Sequence, residues 1–235
     1  MIIDFHSHIL PNVDDGSRSV EESMAMLRME AEQGIDKVVV TPHFYPRHDN
    51  LEQFLIRRDM SMARLQEEMY RHEEMPQVIC GAEVYYFSGI SNCEALPRLT
   101  IDGKRYILIE MPMVPWTAAM YAELEEISTR WGITPIIAHV DRYLSLFRTR
   151  GILERLEQMP VLVQANASFF LHGVLKHRAL RMLARNQIHL LGSDCHNMSN
   201  RVPNLGGAQR VIAKHLPQDV LDRIRSYQCR VLDGK

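Results

Sequence analysis

Two short pairs carry the first hint of chemistry. His6-x-His8 near one end of the chain and Asp194-x-His196 near the other each set two metal-capable side chains one residue apart. In an extended strand alternate residues share a face, with Cα atoms ~6.5 Å apart. Two imidazoles so placed can hold one ion at ~2.0–2.1 Å. Between the pairs come His43, Glu83, Glu110 and His139, each at or just beyond the end of a short apolar run. One His or Glu in such a position is usually a cap or a solvated group; a run of them is a pattern. Carboxylates buried without partners are costly, and a shared metal centre would remove that cost for Glu83 and Glu110.

The donors are imidazole and carboxylate, with no obvious thiolate, which suits Mn, Fe or Zn and, less well, Mg. They outnumber what one ion needs. A carboxylate such as Glu83 could bridge two ions ~3.5–4 Å apart, and a bridging water turned to hydroxide near neutral pH could attack phosphorus in line. Arg142 follows His139 by three residues and Arg201 follows His196 by five. A planar guanidinium grips phosphate oxygens in a fork, so the two arginines point to a phosphorylated substrate. Cys195 and Arg201 also spell Cys-x5-Arg, the spacing of thiolate phosphatases. The intervening His-Asn-Met-Ser-Asn lacks an anion-cradling glycine loop, and Cys195 alternates with Asp194 and His196, so it should face away from them.

Something must bring residues 6 to 196 together. Seven apolar runs read as buried strands: 2–6, 37–41, 77–83, 105–110, 134–139, 161–166 and 188–193. They are short and several are rich in Val and Ile, as strands covered on both faces are. Amphipathic segments lie between them. Ser19 with Glu22 forms a capping-box pattern, Val20, Met24, Leu27 and Ala31 follow helical spacing, and Gly34 suits the stop. Further helices are predicted at 51–71, 118–131, 175–185 and 218–226, the last with Pro217 at its start. Alternating β and α units predict a parallel sheet. In a parallel barrel all strand C-termini share one rim, where active sites are built. Six of the seven runs deliver a metal-capable residue to that rim.

Composition narrows the classes. With 235 residues and 46% apolar, the chain can form one barrel-sized domain spanning 1–235. A net charge of −2 gives no electrostatic sign of nucleic acid or a membrane surface. No run has the ~18 apolar residues of a membrane span, and residues 1–10 lack the features of a signal peptide. Four cysteines without a CxxC pair fit a reducing, cytoplasmic setting. The 14 methionines read as core filler.

At these residues the sequence resembles the PHP superfamily, in particular the bacterial manganese-dependent protein-tyrosine phosphatases of capsule and exopolysaccharide operons. The resemblance covers nearly the whole chain. It rests on Ile3-Asp4-Phe5-His6-Ser7-His8, Val13-Asp14-Asp15-Gly16-Ser17, Gly81-Ala82-Glu83-Val84-Tyr85-Tyr86, Ala138-His139-Val140-Asp141-Arg142-Tyr143 and Ser193-Asp194-Cys195-His196-Asn197. It implies a distorted seven-stranded TIM-like α/β barrel with a three-ion manganese site. By motif, one ion would take His6, His8, Glu83 and Asp194, a second Glu83, Glu110 and His139, and a third Asp15, His43 and His196. In the acidic pair the second aspartate, not Asp14, matches the family ligand. Arg142 and Arg201 match the phosphate-binding arginines, and Asp4 a supporting position behind the His pair. Residues 42–50 match least well, in a stretch expected to line the substrate groove. The implied substrate is a phosphotyrosine protein, the tail of a membrane-associated bacterial tyrosine kinase, with control of polysaccharide export as the outcome. Rival readings are another PHP phosphoesterase (histidinol phosphatase or nuclease), a TIM-barrel amidohydrolase that also begins with His-x-His, and a non-catalytic metal-bound module. Neutral charge counts against the nuclease, the arginines against the amidohydrolase, and the surplus of ligands against the structural module.

Overall fold

The computed structural model describes residues 1–72, 74–146 and 151–235. Among these residues are nine short strands: β1 (Ile3–Ser7), β2 (Lys37–Val40), β3 (His43–Phe44), β4 (Gln77–Cys80), β5 (Glu83–Tyr85), β6 (Tyr106–Glu110), β7 (Thr134–Ile137), β8 (Leu162–Asn166) and β9 (Leu190–Gly192). Every pairing between them is parallel. All seven expected runs contribute, so the predicted parallel sheet is found, but the second and third break and re-pair, and the fifth and seventh stop at Ile137 and Gly192, short of 139 and 193. The second gives way at Pro42, which has no N–H to donate to a ladder, and pairing resumes in β3. The third breaks at Gly81–Ala82. There the chain leaves β2, the partner of β4, and joins β3 and β6 as β5. A Cβ on Gly81 would lie 3.3 Å from Ile101, so the crossing is tight.

The strands form one order β1-β2-β4 and another β3-β5-β6-β7-β8-β9. Since β2 runs into β3 and β4 into β5, the two are successive levels of one curled wall. The wall closes where β1 meets the end of β9: the Asp194 N–H donates to the His6 carbonyl at 2.7 Å and the His8 N–H to the Cys195 carbonyl at 2.8 Å. The result is a distorted α/β barrel of seven staves. Ile3, Phe5, Val39, Leu108, Ile136, Leu162 and Leu190 pack together in its interior. Val231 and Leu232 of the last helix join them. A larger apolar layer lies between strands and helices, and Met24, Met26 and Met111 are buried in it, as expected of filler.

Helix α1 (Val20–Glu32) starts where predicted. Ser19 accepts the Glu22 N–H at 3.2 Å, but the Glu22 carboxylate reaches the N–H of Arg18 rather than that of Ser19, so the capping box is only half made. Helices α2 (Leu51–Met69) and α3 (Ala118–Trp131) match the expected spans closely. The short α4 (Val140–Leu146), α5 (Ile152–Leu156) and α6 (Ala167–Leu171) were not expected, and α7 (Gly173–Ala184) was. Nor was α8 (Leu205–His215). Helix α9 runs Gln218–Asp233, well past 226, because Val220, Ile224, Gln228 and Val231 continue one buried stripe.

Candidate metal centre

The strand ends deliver their polar residues to one point. Glu83, fully buried at the start of β5, is its hub. Its Oε2 lies 3.0 Å from His6 Nε2, 3.3 Å from His8 Nε2 and 3.1 Å from His43 Nδ1. Its Oε1 lies 2.9 Å from His139 Nε2, which is also 3.4 Å from Glu110. Asp194 Oδ1 is 3.5 Å from both His6 and His8. Asp15, largely exposed, faces His43 at 3.7 Å and His196 at 3.6 Å. All nine side chains singled out in the sequence therefore meet.

Their donor atoms fall into overlapping groups: His6, His8 and Asp194; His43, Glu83 and Glu110; and His8, Asp15, His43 and His196, each within 4.8 Å. These differ in detail from the ligand sets implied by resemblance. His8 reaches the Asp15 group as well as the His6 group, and His43 stands with Glu83 and Glu110. The arrangement fits cations better than protons. His6 Nε2 and His8 Nε2 point at each other across 3.1 Å, while His196 Nε2 is buried with no hydrogen-bond partner and His43 Nδ1 meets Glu83 without hydrogen-bond geometry. Buried nitrogens are nearly always satisfied, and bound cations would satisfy these.

Electrostatics agree. Burial favours a neutral Glu83, yet His6, His139 and His8 hold its carboxyl well below the usual range. Asp194 is held down against burial by His6, His8 and Arg142. Burial, with His8 beside it, pushes His196 down to about 3, leaving its ring neutral and able to ligate. Burial opposes charge on His139, but Glu110 and Glu83 lift it to about 9; a cation there would replace the proton.

Supporting groups hold the ligands in place. Asp14 accepts from His8 Nδ1 at 2.6 Å and from the His43 N–H at 2.9 Å. Gln164 Oε1 accepts the His139 N–H at 2.6 Å and lies 3.3 Å from His6 Nδ1. Asn166 donates to Asp194 at 2.9 Å, and Asp141 accepts the Asn166 N–H at 2.9 Å. Asp4 acts on the backbone instead, accepting from the N–H groups of His6 and Ser193. Such outer contacts fix tautomer and direction. In the sequence Asp14 stood out only as the lesser candidate of the acidic pair, and Gln164, Asn166 and Asp141 had no role assigned. A signal was present: run 161–166 alone ended without a metal-capable residue, and its Gln164-x-Asn166 repeats the alternate spacing of His6-x-His8.

The backbone is shaped for the site. His139 and Asp194 adopt φ of +34° and +55°, uncommon for residues with a side chain. Gly192 lets β9 approach β1: a Cβ there would lie 2.5 Å from that of His6.

Arg142 and Arg201 both reach Asp194, Arg201 at 2.7 Å, and each is about one-third exposed. They stand at the open edge of the cluster. Cys195 faces the other way, fully buried, with burial raising its thiol well above the usual value. It reaches toward Asp4 and Glu30. Beside His43 opens a cleft of about 670 Å³ lined in part by residues 45–48, the stretch expected at the substrate groove.

Among known proteins, the family described as capsular polysaccharide synthesis, CpsB/CapC, matches residues 2–231. The tyrosine-protein phosphatase CpsB of Streptococcus agalactiae serotype III (strain NEM316) is 30% identical over 222 residues, covering 91% of this chain and 90% of that protein. The protein of the same name from Streptococcus pneumoniae is 32% identical over 228 residues, with the same coverage. The fold is shared with a chain from the crystal structures of YwqE from Bacillus subtilis and CpsB from Streptococcus pneumoniae, described as unique metal-dependent tyrosine phosphatases. The TM-score is 0.86 at 23% identity, over 100% of this chain and 95% of that one. By the family match along almost its whole length, the chain belongs to the CpsB/CapC family of capsular polysaccharide synthesis.

Proposed function

We propose that this protein is a metal-dependent protein-tyrosine phosphatase that hydrolyses phosphotyrosine on a protein substrate, the tail of a bacterial tyrosine kinase, in the control of capsule or exopolysaccharide synthesis. The observation that carries the reading is the convergence of five histidines and four carboxylates beside two phosphate-competent arginines. The names of the relatives support the tyrosine specificity. Manganese is the proposed metal, in a three-ion site, with Fe, Zn or Mg as alternatives; the donor set favours hard and borderline ions. No helix among the described residues is long and apolar enough to cross a membrane, and a cytoplasmic location is proposed.

His6, His8, Glu83 and Asp194 would hold one ion, Glu83, Glu110 and His139 a second, and Asp15, His43 and His196 a third. When bound, such ions supply Lewis acidity and lower the pKa of water. The chain's own residues do the rest. Arg142 and Arg201 turn their forks to the phosphoryl oxygens, leaving Asp194 free of its guanidinium partners and orienting the ester for in-line displacement. Asp14, Gln164 and Asn166 keep the imidazoles and Asp194 aimed. A phenolate leaving group has a pKa near ~10, low enough to depart without a dedicated acid. Cys195 takes no part.

The test is a substrate panel with chelated and Mn-reloaded protein: a phosphotyrosine peptide, histidinol phosphate, single-stranded DNA and a dihydroorotate-like amide. Chelation should abolish turnover of the phosphopeptide and Mn should restore it best. Full activity after chelation, or a preference for any other member of the panel, would overturn the proposal.

A further inference from the structure

The cleft of about 670 Å³ is larger than one aromatic side chain needs, and its walls are unlike. Its inner end adjoins the metal centre through Tyr45, the neighbour of His43. Tyr45 stacks on His43, with ring centroids 5.0 Å apart and planes at 29°, and Tyr85 stands 5.6 Å from Tyr45. These residues extend β3 and β5, the strands that carry His43 and Glu83, so the cleft leads outward from the proposed phosphoryl position. One wall is aromatic: Tyr45, Tyr85, Tyr86 and Phe87. Tyr86 has its hydroxyl tied back to Glu123, which fixes its ring and removes its polar tip from competition.

The lip carries one fixed cation, Arg47. Arg47 and His48 line the cleft and are exposed. Among the described residues neither forms an ion pair, although the nearby Asp49 is engaged by Arg57 at 2.9 Å. An unpaired Arg beside an aromatic wall, in a cleft running out of a catalytic centre, lacks one thing: an anionic partner from outside.

We infer that this cleft binds the polypeptide flanking the phosphorylated tyrosine, and that Arg47 selects substrates with an acidic side chain on that flank. The aromatic wall receives the tyrosine ring and the neighbouring backbone by stacking and apolar contact. Arg47 supplies charge complementarity, which steers and selects more than it tightens. This rests on the phosphatase reading of the same site and names its substrate class more narrowly.

The experiment compares three phosphotyrosine peptides of equal length, with acidic, neutral or basic flanks, and p-nitrophenyl phosphate, on Mn-loaded protein. The acidic peptide should exceed the basic one in kcat/KM by about fivefold, the scale of one exposed charge pair, and high salt should shrink the margin. Arg47→Glu should reverse the order of the peptides, and Arg47→Ala should level it. Phe87→Ala should lower the ratio of peptide to p-nitrophenyl phosphate turnover. Equal turnover of the three peptides by the unaltered protein, or an unchanged order in Arg47→Glu, overturns the inference and leaves the phosphatase reading standing. If the protein hydrolysed none of the substrates, that reading would fall. The affinity order of the matching non-hydrolysable phosphonate peptides, measured by calorimetry, would still decide for or against the cleft.

Discussion

Two clusters of buried acids lie back to back across β1 and the end of β9, and they behave in opposite ways. At the rim, Glu83 and Asp194 are buried yet held ionised, because histidines and arginines face every oxygen. Behind it, Asp4 and Glu30 meet beside Cys195, all three fully buried. Neither Glu30 oxygen has a hydrogen-bond partner, and Asp4 lacks one on Oδ2. Burial raises both carboxyls, and for Glu30 the neighbouring Asp4 adds to it. Burial is common to both clusters, so it does not set the charge state. The partners do, and only the cluster with cationic partners faces the open rim.

The largest effect should come from the hub. Glu83→Ala removes the oxygens that four histidines share, and should cost more than the ~10–100-fold that follows loss of a supporting contact. Metal content by elemental analysis and turnover should fall together, and a Glu83→Ala protein with full metal and full activity would remove the hub from the mechanism. Arg201→Lys keeps charge but loses the fork. It should cost ~1.5–3 kcal/mol, one to two orders of magnitude in kcat/KM, with metal content intact. Normal kinetics in both Arg201→Lys and Arg142→Lys would move phosphate recognition elsewhere. Asp14→Asn should act through the metal, weakening affinity by ~10–100-fold while excess Mn rescues turnover. If added Mn gave no rescue, Asp14 would be more than a support for His8.

The rear cluster should respond in the opposite sense. A carboxyl whose folded pKa is raised stabilises the fold below its unfolded value and loses that contribution as pH rises through the folded value. For Asp4 and Glu30 the window opens near the unfolded values of ~3.9 and ~4.3 and extends upward. Glu30→Gln should therefore flatten the decline of Tm with rising pH and leave Tm at neutral pH unchanged or higher, with metal content intact. A steeper decline would mean that Glu30 is charged and paired. The smallest effect is assigned to Cys195→Ser. Water, not sulfur, attacks in the metal mechanism, so most activity should remain, with no phosphocysteine to trap. A dead variant with full metal would reinstate the thiolate chemistry that the Cys-x5-Arg spacing suggests.

The rim was legible because strand ends are marked twice, once by an apolar run stopping and once by a metal-capable residue. Hence His6, Glu83, His139 and Asp194 could be aligned before any geometry was known. Breaks within runs were less visible. Gly81 and Ala82 read as strand, and only the change of partner from β2 to β3 and β6 shows the chain crossing there. Helices α4 to α6 are too short to display a period, and α8 follows a loop with no clear cap. Glu30 sat unnoticed in a helical pattern, since a polar residue on a helix is normally solvated. Its neighbour in the fold is Asp4, 26 positions earlier, which no local rule connects to it.

The contact between β1 and the end of β9 also sets an order of events. The first candidate ligands lie at positions 6 and 8, the last at 194 and 196, and the hydrogen bonds joining His6 to Asp194 and His8 to Cys195 close the ring between them. A loop this long is entropically slow to close, and such non-local contacts delay folding. During synthesis, therefore, the emerging chain can present isolated histidines but no finished set of donors until position 196 has been made. Capture of cations at this site would wait on that closure, so a chain lacking the contact between β1 and the end of β9 should have neither the cations nor the activity.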